Sequence, residues 1–150
     1  MPTDDPNAHF ASAHIDVHAE QAFDFLADGM NQRFWALFSI ERRQLGPDTF
    51  VGSSMFDAVD EYVRLRPNRE LLLVDYFIGF EGPDNLRHQV QSRVIPGPEL
   101  GRPENTCVVT NVVWRDEAYT PEVWGLIYHV WKVELALIKG KLEQLHPASA

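Results

Sequence analysis

Apolar positions recur at two different periods along this chain, and each change of period marks a new element. Residues 10–17 alternate, with Ala11, Ala13, Ile15 and Val17 in one phase, which is the signature of a strand with one buried face. Over residues 20–27 the spacing turns helical, placing Ala22, Phe23 and Leu26 on one side. Asp28-Gly29 ends that helix, and residues 31–37 suit a second short one. A long run of strand signals follows. Residues 39–45 precede the Gly46-Pro47-Asp48 turn, 49–56 come next, and 61–65 lead into the Arg66-Pro67-Asn68-Arg69 turn. Residues 70–78 form the most apolar stretch, 79–85 a hairpin turn, 86–95 a further strand, 96–105 a turn-rich loop and 106–115 the last strand. Residues 50–65 fit either two strands or one bent strand.

Thr120, Pro121 and Glu122 then supply an N-cap, a first-turn proline and an acidic first turn for a final helix over 120–145, about 38 Å long. Wound at roughly 100° per residue, Val123, Trp124, Ile127, Val130, Trp131, Leu137, Ile138 and Leu142 share one broad face. Gly125, His129, Lys132, Ala136 and Glu143 take the other side, and Lys141 is expected to snorkel at the helix end. So wide an apolar face needs a large cover. Consecutive strands joined by short turns make an antiparallel sheet with one face to bury, and this helix is the only element long and apolar enough to cover it. The expected architecture is α+β: a curved antiparallel sheet of six or seven strands wrapped around the C-terminal helix, with two short helices after strand 1. A space between sheet and helix is where a ligand would sit.

Composition narrows the function. The chain has 150 residues, 45% of them hydrophobic, which suits one domain over residues 8–146 behind a loose tail at 1–7. With 22 acidic residues against 13 Lys and Arg, the formal charge is −9, which argues against nucleic acid or an anionic membrane as the main partner. Cys107 is the single cysteine, so no intrachain disulfide exists and a buried strand thiol is the expectation. No apolar run approaches the length of a membrane span, and the acidic start lacks the apolar core of a signal peptide, which together imply a cytoplasmic protein.

The order strand, two short helices, antiparallel strands, long terminal helix resembles the helix-grip fold of the START/Bet v 1-like (SRPBCC) superfamily. The run from Ile15 through Ala19, Phe23, Phe25 and Leu26 to Asp28 looks like the opening I-x-A-x-x-x-x-F-x-x-L-x-D pattern of its polyketide cyclase/dehydrase-like branch. Trp35 stands where those proteins often carry a tryptophan. The Pro67-Asn-Arg69-Glu-Leu71 run is similar to their P-x-R-x-L turn, and the helix from Trp124 onward to their closing segment. The resemblance covers roughly residues 8–145 and implies a fold rather than an activity, because members range from lipid binders and cyclases to chaperone activators. No shared catalytic motif exists to carry over, and no cofactor or metal is implied: the Cys/His spacings of a Rieske cluster or mononuclear iron are absent.

Glu134 is the sharpest candidate, a carboxylate near the centre of the apolar helix face. Unpaired there it would cost several kcal/mol, so it either faces a polar cavity as an acid/base or ligand anchor, or pairs with an arginine or histidine from the sheet. His88 shares the phase of Leu86, Val90 and Val94, so a Glu134–His88 acid/base couple is one reading and a satisfied edge histidine the other. In the apolar strand, Tyr76 inward with Asp75 solvated is the cheaper arrangement. His14 and His18, with Asp16, make only a weak metal set. Trp35, Tyr76, Trp114, Trp124, Ile127, Tyr128, Trp131 and Ile138 are the candidate ligand contacts, in a wider aromatic group that includes Phe38 and Tyr119. Two functions follow. One is binding of a hydrophobic or aromatic small molecule, lipid- or polyketide-like, with cyclase-, dehydratase- or hydrolase-type chemistry left open. The other is a chaperone-activator-like interaction module whose cavity is filled by its own side chains. Whether the chain forms a homodimer is not readable from these patterns.

Overall fold

Alternation and hairpin turns produce seven strands: β1 (Ala8–Ile15), β2 (Arg43–Gln44), β3 (Thr49–Ser53), β4 (Asp60–Asn68), β5 (Leu73–Gly79), β6 (Arg87–Pro96) and β7 (Cys107–Trp114). The computed structural model describes residues 4–148. All pairings are antiparallel in one sheet of order β1-β7-β6-β5-β4-β3-β2, so the first strand closes against the last. Helix α1 (Ala19–Ala27) and a 3₁₀ helix (Gly29–Phe34) follow β1, and α2 (Pro121–Leu145) ends the fold. The expected α+β architecture is present, with seven strands.

One face of the sheet supplies Val63, Leu65, Val74, Tyr76, Val90, Val94, Val109 and Val113 to a core that α2 completes with Trp124, Ile127, Trp131, Leu135, Ile138 and Leu142. Leu135 takes the place expected for Leu137, which is exposed. Thr120 caps α2, accepting the Val123 N–H on its side chain, with Pro121 in the first turn. Asp28 stops α1 and caps the 3₁₀ helix by accepting the Met30 N–H. Tyr76 lies fully inside, donating its hydroxyl to the Leu26 carbonyl and so fastening α1 to the sheet. Of the expected N-terminal tail, residues 1–3 lie outside the described residues; the Pro6 carbonyl accepts from the Trp124 indole and that of Asn7 from the Arg115 N–H.

Residues 50–65 are two strands separated by a turn at 54–59, in which Ala58 adopts a positive φ of 59°. The expected strand over 39–45 is only two residues long, because its first half folds inward: Ser39 is fully buried and Ile40 donates to the Ser53 carbonyl. Gly52 makes this close approach feasible, since a β-carbon there would collide with the Ser39 side chain and backbone carbonyl. Gly52→Ala is expected to destabilise the chain by about 1–3 kcal/mol through overpacking. Urea unfolding measures it, and a midpoint unchanged within error would mean that residues 39–42 yield without cost.

Candidate functional site

Near the middle of α2 the core turns polar. Glu134, on the helix face that meets the sheet, is 2% exposed, and its Oε2 accepts the Leu37 N–H at 3.0 Å. No arginine or histidine reaches it, so the ion pair weighed from the sequence does not form among the described residues. Burial pushes its carboxyl well above the usual range, and the neighbouring charge of Glu61 adds to this against the one backbone hydrogen bond. Glu61 comes from β4, in phase with the inward Val63 and Leu65. Burial raises Glu61 to about 8, against the lowering pull of the Arg42 charge. At about 8, Glu61 is mainly protonated at pH 7, and burial shifts Glu134 in the same direction.

Arg42 arrives on the inward-folded segment before β2. Its guanidinium donates to the Gly29 carbonyl at 2.7 Å, to the Ser39 hydroxyl at 2.8 Å and to the Gln32 side-chain oxygen. Burial lowers it to about 10, so it stays charged. Glu134, Glu61 and Gln32 line a cavity with Trp35, Phe38, Tyr76, Gln89, Tyr119, Ile127 and Trp131, and Arg42 stands behind Gln32, outside the lining. Gln89 donates to the Tyr119 hydroxyl at 2.7 Å. Three buried polar atoms on this lining have no partner: the indole nitrogens of Trp35 and Trp131, both donors, and the Gln89 side-chain oxygen. The free volume is about 30 Å³, room for a water or two rather than a ligand of ten heavy atoms.

No protein-family model matches the sequence, and none of the curated proteins matches it either. Solved structures do match its fold. A START superfamily protein from Mycobacterium smegmatis superposes with a TM-score of 0.68 at 11% identity, over 92% of this chain and 98% of that one. This chain has the START-type helix-grip fold. The di-domain ARO/CYC protein BexL of the BE-7585A biosynthetic pathway matches with a TM-score of 0.67 at 12% identity, over 94% of this chain and 48% of its own. The Aha1 dimer from Colwellia psychrerythraea matches with a TM-score of 0.64 at 14% identity, over 91% and 96%.

Within this helix-grip scaffold the sequence-predicted site divides. Glu134, Trp35, Tyr76, Ile127 and Trp131 come together around the cavity. Ile138 is fully buried but not part of the lining. Trp124 stacks on His9 with ring centroids 3.7 Å apart, and Tyr128 is 42% exposed with Lys132 over its ring, so neither reaches the cavity. His88 and Trp114 lie on the outer face of the sheet, their rings 5.3 Å apart. A β-bulge between Tyr76 and Phe77 is the reason. Val90 pairs with Tyr76 but His88 pairs with Phe77, so Gln89 takes the inward position and the strand phase flips. The Glu134–His88 couple is thereby corrected: His88 bonds Asp75 at 2.7 Å instead.

Asp75 does face outward, as expected with Tyr76 inside, yet it is 8% exposed beneath Arg66, His88 and Gln91 rather than solvated. His14 sits against Asp16 and Arg102, while the His18 N–H donates to Gln21 at the start of α1. Cys107 is fully buried, and burial raises its thiol to about 11. Glu61, Arg42, Gln32 and Gln89 are site residues that the sequence reading missed. Only Glu61 left a signal, its alternation with Val63 and Leu65.

Proposed function

We propose that this protein binds a small hydrophobic molecule bearing carbonyl-type acceptors between its sheet and its C-terminal helix. The observation that carries this reading is the set of unpartnered buried atoms on the cavity lining, two indole donors and one amide acceptor, beside two carboxyls whose hold on their protons burial strengthens. A fold does not leave such atoms empty without cost, on the order of 1–3 kcal/mol each. Glu134 in its acid form has a proton to donate to a ligand carbonyl, and in a catalytic version of the site it would be the group that transfers it. Phe38 and Tyr119 are the lining side chains, each only partly buried, that would move to enlarge the space. The aromatase/cyclase named in one structural neighbour lends the reading an analogy of fold.

The volume of about 30 Å³ favours the second reading, an interaction module of the chaperone-activator type with a self-filled interior. Thermal shift of the full chain against panels of polyketide-like, sterol-like and fatty compounds separates the two. At least one acceptor-bearing compound is expected to raise the melting temperature. Trp131→Phe keeps an aromatic ring but removes the indole donor, and should weaken that binding about fivefold, beyond the modest loss of unliganded stability that the smaller ring causes. No shift with any compound, and no co-purifying mass in native mass spectrometry, would favour the module.

A further inference from the structure

The face of the sheet turned away from α2 carries its own organised chemistry. The register sets Trp114 on β7, His88 on β6, Phe77 on β5 and Arg64 on β4 side by side across four strands. His88 lies 5.3 Å from both the Phe77 and the Trp114 ring centroids. The Arg64 and Arg66 guanidiniums stand over the Phe77 ring, at 5.1 and 4.9 Å from its centroid. Asp75 fixes one edge of the row by accepting from Arg66, His88 and Gln91. Phe10 on β1, 69% exposed, pairs with Val112 and so stands diagonally next to Trp114, in the neighbouring row.

Charge on this face runs against that of the whole molecule. Arg43, Arg64, Arg66 and Arg93 all point outward by register, four of the 13 Lys and Arg in a chain of net charge −9. The opposing acids are Asp75, already shared, and Asp60 at the far end of β4; Arg87 is taken by Glu117 at the rim. The Arg93 Nε atom is buried without a hydrogen-bond partner. Stacking on Phe77 holds the Arg64 guanidinium with its edge free, the geometry in which arginine grips carboxylates. Arg66 spends Nε and one terminal nitrogen on Asp75 and keeps the other terminal nitrogen on a side chain that is 67% exposed.

We infer that this outer sheet face docks an acidic segment of a partner protein, with carboxylates on Arg64, on the free terminal nitrogen of Arg66 and on Arg93, and an apolar side chain over Trp114 and its diagonal neighbour Phe10. Arg64 and Arg66 alternate along one strand, so they stand roughly 6.7 Å apart, which is also the spacing of every second side chain in an extended peptide. Charge complementarity makes the partner acidic. A stacked nucleic-acid base is disfavoured because the Phe77 ring face is already covered by guanidinium and the remaining surface is acidic. The inference is independent of what the interior binds.

Fluorescence anisotropy with the full chain tests it, using a labelled ten-residue peptide of alternating glutamate and leucine. Controls are the lysine–leucine counterpart and a ten-nucleotide oligothymidylate. The acidic peptide should bind at least tenfold tighter than either and weaken as salt rises. Arg64→Glu should reduce that binding at least tenfold, and Arg64→Gln severalfold should the first variant fold poorly by circular dichroism. Arg102→Glu, on the loop beside His14, should leave it unchanged. Equal binding of all three probes, equal losses at Arg64 and Arg102, or sedimentation showing the face closed by a second copy would each overturn the inference.

Discussion

Raising the pH from 5 to 8 is expected to destabilise this protein, by about 4 kcal/mol from Glu61 alone if its folded value of about 8 is compared with 4.5 in the unfolded chain. Below pH 4.5 the carboxyl holds its proton in both states and folding is indifferent to pH. Above it, the unfolded chain releases the proton while the folded one keeps it, so folding becomes less favourable with each pH unit until the buried group also ionises. Glu134 acts in the same direction, being raised by burial and by Glu61. Melting temperatures across this range should therefore fall, opposite to the usual behaviour of ion-paired carboxylates. Glu61→Gln combined with Glu134→Gln should flatten the slope. A profile level from pH 5 to 8 in the unmodified protein would mean that water reaches these carboxyls and holds them near their ordinary values.

Arg42→Met should cost about 3 kcal/mol or more, because several partly buried acceptors lose their shared donor at about 1–3 kcal/mol each. The loss has two parts. The acceptors of Gly29, Ser39 and Gln32 lose their donor at every pH, while Glu61 loses the charge that favours its ionised form, a loss that counts only as pH rises past about 8. The double variant Arg42→Met with Glu61→Leu should recover the part of the deficit that grows with pH, since it removes the ionising carboxyl as well as the guanidinium. Chemical denaturation of the two single variants and the double one gives the coupling directly. Additive losses would show that Arg42 acts on the backbone of its loop and not on Glu61.

These residues also mark where the sequence stops being readable. Period-2 and period-3.6 patterns locate the strands and α2 because burial of a face leaves a regular trace, and Glu134 stood out as an interruption of that trace. Arg42 lies in an irregular segment whose inward course depends on the missing side chain of Gly52, a tertiary fact with no local signature. Gln32 sits in a 3₁₀ helix too short to show a face. The phase argument held for Tyr76 and failed for His88, twelve residues on, because a phase survives only as long as the ladder is unbroken. Trp124 and Tyr128 share α2 with the lining residues but belong to the turns that His9 and Pro6 cover.

That break in the β5–β6 ladder gives the sheet an unusual evolutionary latitude. Removal of Gln89 would restore regular pairing with His88 still opposite Phe77 on the outer face, so the concave side would simply lose its amide. A residue added to β5 between Tyr76 and Phe77 would instead match the extra one on β6 and turn His88 inward, where a titratable base would confront Glu134 and the outer dyad with Asp75 would vanish. Indels at this position, rather than point substitutions, are where descendants of this scaffold would exchange recognition for proton-transfer chemistry.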